Sequence, residues 1–163
     1  MKGAIVYYSK TGSTEMIAKR FAEKTGFTSF KLEDRSSKTQ PPMFATIFGF
    51  GAPLKEPLPD LKSCDTVVLM TPIWAWHPSA QMNTLLKKAD LKDKKLFLVG
   101  VGAGDSNEKA MNRFSRSVEK KGGKIIGSVT YKGLQLKQGL KEVEQRLLES
   151  GEDLAEKISK LSR

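Results

Sequence analysis

Five strand-forming runs alternate along this chain with stretches of helical periodicity, and that alternation constrains the fold more than any other feature of the sequence. GAIVYYS (residues 3–9), TVVLMTP (66–72) and KLFLVGVG (95–102) are apolar almost without interruption, the pattern of strands buried on both faces. FTSFKLE (27–33) and KIIGSVTY (124–131) add two strands of more mixed character. Between them, TEMIAKRFAEKTG sets Ile17 and Phe21 on one helical face and ends at Gly26. Residues 79–89 place Met82, Leu85 and Leu86 together, and residues 108–121 do the same with Met111, Phe114 and Val118. A long pattern over 138–161 carries Leu140, Val143, Leu147, Leu154, Ile158 and Leu161 on one side, with Gly151 placed to interrupt it. Alternating strands and helices predict an α/β fold, a doubly wound parallel sheet with helices on both faces and right-handed crossovers. At 163 residues the expectation is a single domain over 1–163. Only residues 34–62 break the rhythm: a short helix at 43–48 and then GFGAPLKEPLPDL, which reads as a long surface connection.

Composition removes several classes of function. Cys64 and His77 are the only residues of their types, so a disulfide framework, a cysteine cluster and a multi-histidine metal site are all excluded. Cys64 precedes an apolar run and reads as a small buried thiol in a reducing compartment. No apolar run approaches the roughly 20 residues of a membrane-spanning helix, and MKGAIVYYS enters a strand without a signal-peptide pattern, so a cytoplasmic location is expected. Lysine and arginine total 28 against 18 acidic residues, a formal charge of +10 that draws anionic partners at low salt. The lysines are scattered among acids at helical spacings, and no basic groove interleaved with aromatics points to nucleic acid.

In open α/β sheets ligands bind beyond the carboxyl ends of the strands, which directs attention to three loops. After the first strand, SKTGST offers four hydroxyl side chains around Gly12 and then a helix N-terminus, a setting suited to phosphate. The GxxxxGK[ST] and GxGxxG patterns are both missing at this turn. After the third strand, TPIWAWHPS carries Trp74 and Trp76, which cannot both be core at a strand end and so offer a stacking surface for a flat ligand. After the fourth strand, GVGAGDSNE places glycines at 100, 102 and 104 where backbone can face a ligand, with Asp105 or Ser106 available to cap the next helix. Together the loops describe a molecule with a phosphate and a flat aromatic head.

At these positions the chain resembles the flavodoxin family. SKTGST is similar to the family's Ser/Thr-x-Thr-Gly-x-Thr phosphate loop through Ser9, Thr11, Gly12, Ser13 and Thr14. PIWAWHP stands in place of the first isoalloxazine loop, and GAGDS resembles the second through Ala103, Gly104 and Asp105. The resemblance implies a five-stranded sheet of order 2-1-3-4-5 and bound FMN. The implied contacts are Ser9, Lys10, Thr11, Gly12, Ser13 and Thr14 at the phosphate end. Around the ring they are Pro72, Ile73, Trp74, Ala75, Trp76 and His77 on one side, and Gly102, Ala103, Gly104 and Asp105 on the other. Flavodoxins are usually acidic, whereas this chain is basic, so the expected redox partner proteins are acidic ones. A second departure is Ala75, where many members carry a glycine whose peptide turns toward the flavin; alanine costs more at positive φ.

The favoured reading is an FMN-binding electron-transfer protein with no side chain acting as an acid–base catalyst. Two others stay open. One is a small FMN-dependent NAD(P)H:quinone-type oxidoreductase, the other a flavin-free basic module that docks to acidic proteins.

Overall fold

Successive side chains of a strand face opposite ways, so a strand apolar at every position needs cover on both sides. The computed structural model, which describes residues 2–35, 43–103, 107–133 and 141–161, meets that need for the three inner strands of its sheet. In chain order the elements are β1 (Gly3–Tyr8), α1 (Ser13–Thr25), β2 (Thr28–Leu32), α2 (Met43–Ile47), β3 (Thr66–Trp74) and β4 (His77–Pro78). They continue with α3 (Ala80–Lys88), β5 (Lys95–Gly102), α4 (Glu108–Glu119), β6 (Lys124–Lys132) and α5 (Lys141–Leu161).

In β1, Ala4, Val6 and Tyr8 enter one core layer while Ile5 and Tyr7 enter the other. β3 divides likewise into Val67 and Leu69 against Val68 and Met70, and β5 into Leu96 and Leu98 against Phe97 and Val99. The first layer is closed by Met82 and Leu85 of α3 with Met111, Phe114 and Val118 of α4. Ile17 and Phe21 of α1 with Leu147, Leu154 and Ile158 of α5 close the second. The strands pair in the order β2-β1-β3-β5-β6, every one of these pairs parallel, and β4 adds a short antiparallel pairing to β3. Leaving β4 aside, this is the expected order of five strands in a doubly wound fold.

Three particulars differ from expectation. The segment after α2 is more than a surface connection, because Ala52, Leu54 and Leu61 are buried, the latter two in the first core layer. It also returns alongside the end of β2, where Arg35 N–H donates to the Pro53 carbonyl and Lys55 N–H to that of Glu33. Leu161 is exposed rather than packed, and Leu140 lies outside the described residues.

The third difference is Gly151, which does not interrupt α5 but is buried within it. A Cβ there would stand 2.8 Å from the Ile17 carbonyl oxygen and 2.7 Å from the Arg20 Cβ, so the missing side chain is what allows α5 to lie on α1. Arg20 then reaches across the contact to Glu152, which also pairs with Lys24 at 3.3 Å. At this crossing packing overrides propensity. Gly151→Ala should lower stability by about 1–3 kcal/mol in urea denaturation through overpacking. If propensity ruled instead, the same change would raise stability by about 1 kcal/mol.

Candidate functional site

β1, β3 and β5 lie side by side in the sheet, so the loops at their carboxyl ends open on one rim. Gly12 ends the first loop in the left-handed region at φ 97°, which turns the chain directly into α1. Its N–H donates to the Ser9 hydroxyl at 3.2 Å, and its carbonyl accepts from Met16 N–H at 2.9 Å as the helix starts. No side chain caps this N-terminus; Lys10 and Thr11 are exposed, whereas Ser13 and Thr14 are buried in the first turn. Glu15, also in the first turn, is held by Lys31 at 2.6 Å and Lys19 at 2.9 Å. Those hydrogen bonds, the one to Lys31 foremost, draw its carboxyl below the usual range and offset its charge near the loop.

The second loop is tighter than its sequence implies. β3 continues through Pro72 and Ile73, both buried, to Trp74, which pairs with His77 of β4 across a turn made only of Ala75 and Trp76. Both turn residues have positive φ, 47° and 59°, as a type I′ hairpin turn demands, yet neither is glycine. Contacts hold this strained turn. The Ala75 carbonyl accepts from His77 Nδ1–H at 2.6 Å, and the Trp76 carbonyl accepts from the Arg113 guanidinium of α4 at 2.8 Å. Below the turn, Ser79 N–H donates to Thr71 Oγ1 at 3.1 Å and Thr71 Oγ1–H to Ser79 Oγ at 3.0 Å, both side chains fully buried. Ser79 also accepts from Met82 N–H, which makes it the N-cap of α3.

The two tryptophans have separate surroundings. Trp74 is partly buried and meets the edge of Tyr8 at 6.1 Å between centroids, with Lys10 Nζ 5.8 Å from its ring. Trp76 is 61% exposed. Thus Trp74 joins the first loop to the second, through a tyrosine at the mouth of β1 and a lysine of the phosphate-type loop.

Tyr8 is itself anchored, because its hydroxyl donates to Asp34 Oδ2 at 2.8 Å while Gln81 Nε2 donates to Oδ1 of the same carboxylate at 2.7 Å. Burial, reinforced by the hydrogen bond to this carboxylate, drives the Tyr8 hydroxyl well above its ordinary pKa. Nothing local in the sequence marks Asp34, Gln81 or Arg113 as part of this rim; each acts on a residue from a distant segment.

From the third loop, Gly102 is the last residue of β5 and is buried, and Ala103 is exposed. A Cβ on Gly102 would come within 2.8 Å of Asn107, and one on Gly100 would meet Met111 at 2.8 Å, so both glycines give α4 room to pack. Gly104, Asp105 and Ser106 lie outside the described residues, and the N-cap of α4 is Asn107. Among the described residues no group of three or more His, Cys, Asp or Glu could hold a metal ion, and no helix is long and apolar enough to cross a membrane. Cys64 is buried as expected.

The flavodoxin family model matches residues 5–151. No curated protein matches the sequence. A flavoprotein from Lactobacillus acidophilus NCFM, solved in complex with FMN, superposes with TM-score 0.68 at 17% identity, covering 79% of this chain and 92% of that one. A flavodoxin from the domain Archaea gives 0.58 at 15%, covering 98% and 99%, and oxidised flavodoxin 2 from Bacillus cereus gives 0.59 at 18%, covering 96% and 99%. At such identities these likenesses establish the fold.

The strained turn carries a direct test. A left-handed L-residue costs about 1–2 kcal/mol, partly offset in glycine by its larger folding entropy, so Ala75→Gly should raise stability by about 0.5–1 kcal/mol in thermal unfolding. Ser79→Ala should lower it by about 1–2 kcal/mol, since it removes a cap and leaves Thr71 without that buried partner. A neutral Ser79→Ala would show that the hydroxyl pair does not secure the hairpin.

Proposed function

We propose that this chain, which belongs to the flavodoxin family, binds FMN at the rim formed by the loops that follow β1, β3 and β5 and serves as an electron carrier. The observation that carries the reading is the meeting of Trp74 with Tyr8 and Lys10, which brings a helix N-terminus suited to phosphate beside an aromatic shelf suited to a ring. In this reading the backbone N–H groups at the start of α1 and the hydroxyls of Ser9, Thr11, Ser13 and Thr14 receive the phosphate. Trp74 takes the ring, while Pro72, Ile73, Ala75, Trp76 and His77 border it on one side. The other side is assigned to Gly102 and Ala103 and, by the sequence resemblance alone, to Gly104 and Asp105. When bound, the flavin supplies the redox chemistry and the protein supplies binding, orientation and field.

The field is unusual for the family. A net charge of +10, with Lys10 beside the aromatic shelf, favours negative charge at the rim and acidic redox proteins as partners. A cytoplasmic setting fits this role.

Incubation with FMN followed by desalting should leave visible flavin absorption on the protein and quench flavin fluorescence; loss of all flavin, confirmed by calorimetry, would overturn the assignment. Thr11 is exposed, so Thr11→Glu probes the phosphate end without disturbing the core, and it should weaken FMN binding at least about tenfold, or 1.4 kcal/mol. Full reduction of the bound flavin should occur at a less negative potential than in an acidic flavodoxin at matched salt, because the reduced ring tends toward an anion. Potentiometric titration decides this. A carrier should not oxidise NADH or NADPH with a quinone on its own, and steady turnover would favour the oxidoreductase reading.

A further inference from the structure

Behind the strained hairpin lies a groove of about 320 Å³ between α2, β4 and α4. Arg113, Arg116 and Lys120 line one side of it, and Ile47 and Phe48 form part of the other. The three cations fall at i, i+3 and i+7 along α4, hence on one helical face, where like charges repel. Among the described residues no carboxylate lines the groove. Some cations of the chain are neutralised locally, Lys19, Arg20, Lys31, Lys55, Lys88 and Lys157 among them, each in an ion pair with Glu or Asp. Among the described residues no ion pair includes Arg113, Arg116 or Lys120. Glu119 follows Arg116 on the same helix without lining the groove.

The apolar wall is equally out of the ordinary. Phe48, in that wall, is 72% exposed, and its ring centroid lies 6.3 Å from that of Phe50, which is 55% exposed and outside the groove lining, on a segment that Gly49 turns at φ 70°. An exposed aromatic beside guanidinium and ammonium groups that have no carboxylate partner among the described residues makes a surface with two demands: negative oxygens for the cations and a flat apolar face for the ring. A concave shape favours a small molecule over a flat bilayer.

We propose that this groove binds a nucleotide, its phosphates on Arg116 and Lys120 and its base against Phe48. It is a second site. It shares only His77 with the residues assigned to FMN, and none with the phosphate-type loop. Arg113 links the two, since the same guanidinium that borders the groove holds the Trp76 carbonyl of the hairpin turn. A phosphate competing for Arg113 therefore acts on the turn whose other end is Trp74.

The test is a calorimetric titration of ADP, inorganic pyrophosphate and adenosine at low salt, with tryptophan fluorescence followed in parallel. It is run with and without excess FMN, so a failure of the flavin assignment stays distinct from a failure here. ADP should bind in both conditions, pyrophosphate more weakly, and adenosine most weakly. Arg116→Gln should reduce ADP affinity about tenfold, the loss expected of one charge-assisted hydrogen bond. Phe48→Ser should reduce ADP affinity while leaving pyrophosphate binding unchanged. Both positions are exposed, so neither substitution removes core packing. Absence of ADP binding, or binding that Arg116→Gln and Lys120→Gln leave intact, would overturn the site. So would equal affinity for ADP and pyrophosphate, and so would association with phosphatidylglycerol vesicles by a protein that ignores ADP.

Discussion

A parallel sheet covered on both faces has almost nowhere to put polar chemistry except the ends of its strands, and the rest of this structure depends on that constraint. β1, β3 and β5 are sealed by α3 and α4 on one side and by α1 and α5 on the other, so their side chains are committed to the core. Where those strands stop, the chain reaches solvent with helix-starting backbone, hydroxyls and aromatics still to be placed. The rim inherits its rigidity from the sheet below. Ser79, for example, is positioned by Thr71 of β3 and in turn starts α3, so the hairpin, the strand and the helix share one buried pair of hydroxyls.

The hairpin at Ala75 and Trp76 shows how such a rim stores strain. Two consecutive non-glycine residues at positive φ are costly, and they persist because the surroundings over-determine them. The β3–β4 pairing closes the turn, His77 occupies one carbonyl and Arg113 the other. Residues that would relax an isolated peptide are held between a strand and a helix. Strain of this kind concentrates where function is placed, in keeping with the proposals made for the loop beside Trp74 and the charged groove behind it.

Much of the fold was legible in the sequence because burial on two faces leaves a local record. Apolar runs without alternation marked β1, β3 and β5, and the spacings of Ile17 and Phe21, or of Met111, Phe114 and Val118, marked the helix faces that cover them. SKTGST was equally readable, since a hydroxyl-rich turn with glycine just before a helix is itself a local pattern. Gly151 misled for the same reason: local propensity opposes a glycine inside a helix, while the packing of α5 on α1 requires one. The apolar anchors Leu54 and Leu61 were hidden by the prolines and glycines around them.

By itself, then, the sequence determined the α/β class, the five strands of the parallel sheet and the family, because each is written in residues close together in the chain. Only the tertiary structure decided that Trp74 rather than Trp76 packs against the mouth of β1, that Asp34 joins Tyr8 to Gln81, and that Arg113 secures a turn 37 residues away. It also decided that Arg116 and Lys120 share a groove with Phe48 instead of lying on an ordinary solvated face. These facts rest on contacts between segments remote in sequence, and the geometry of such contacts exists only once the sheet has brought the segments together.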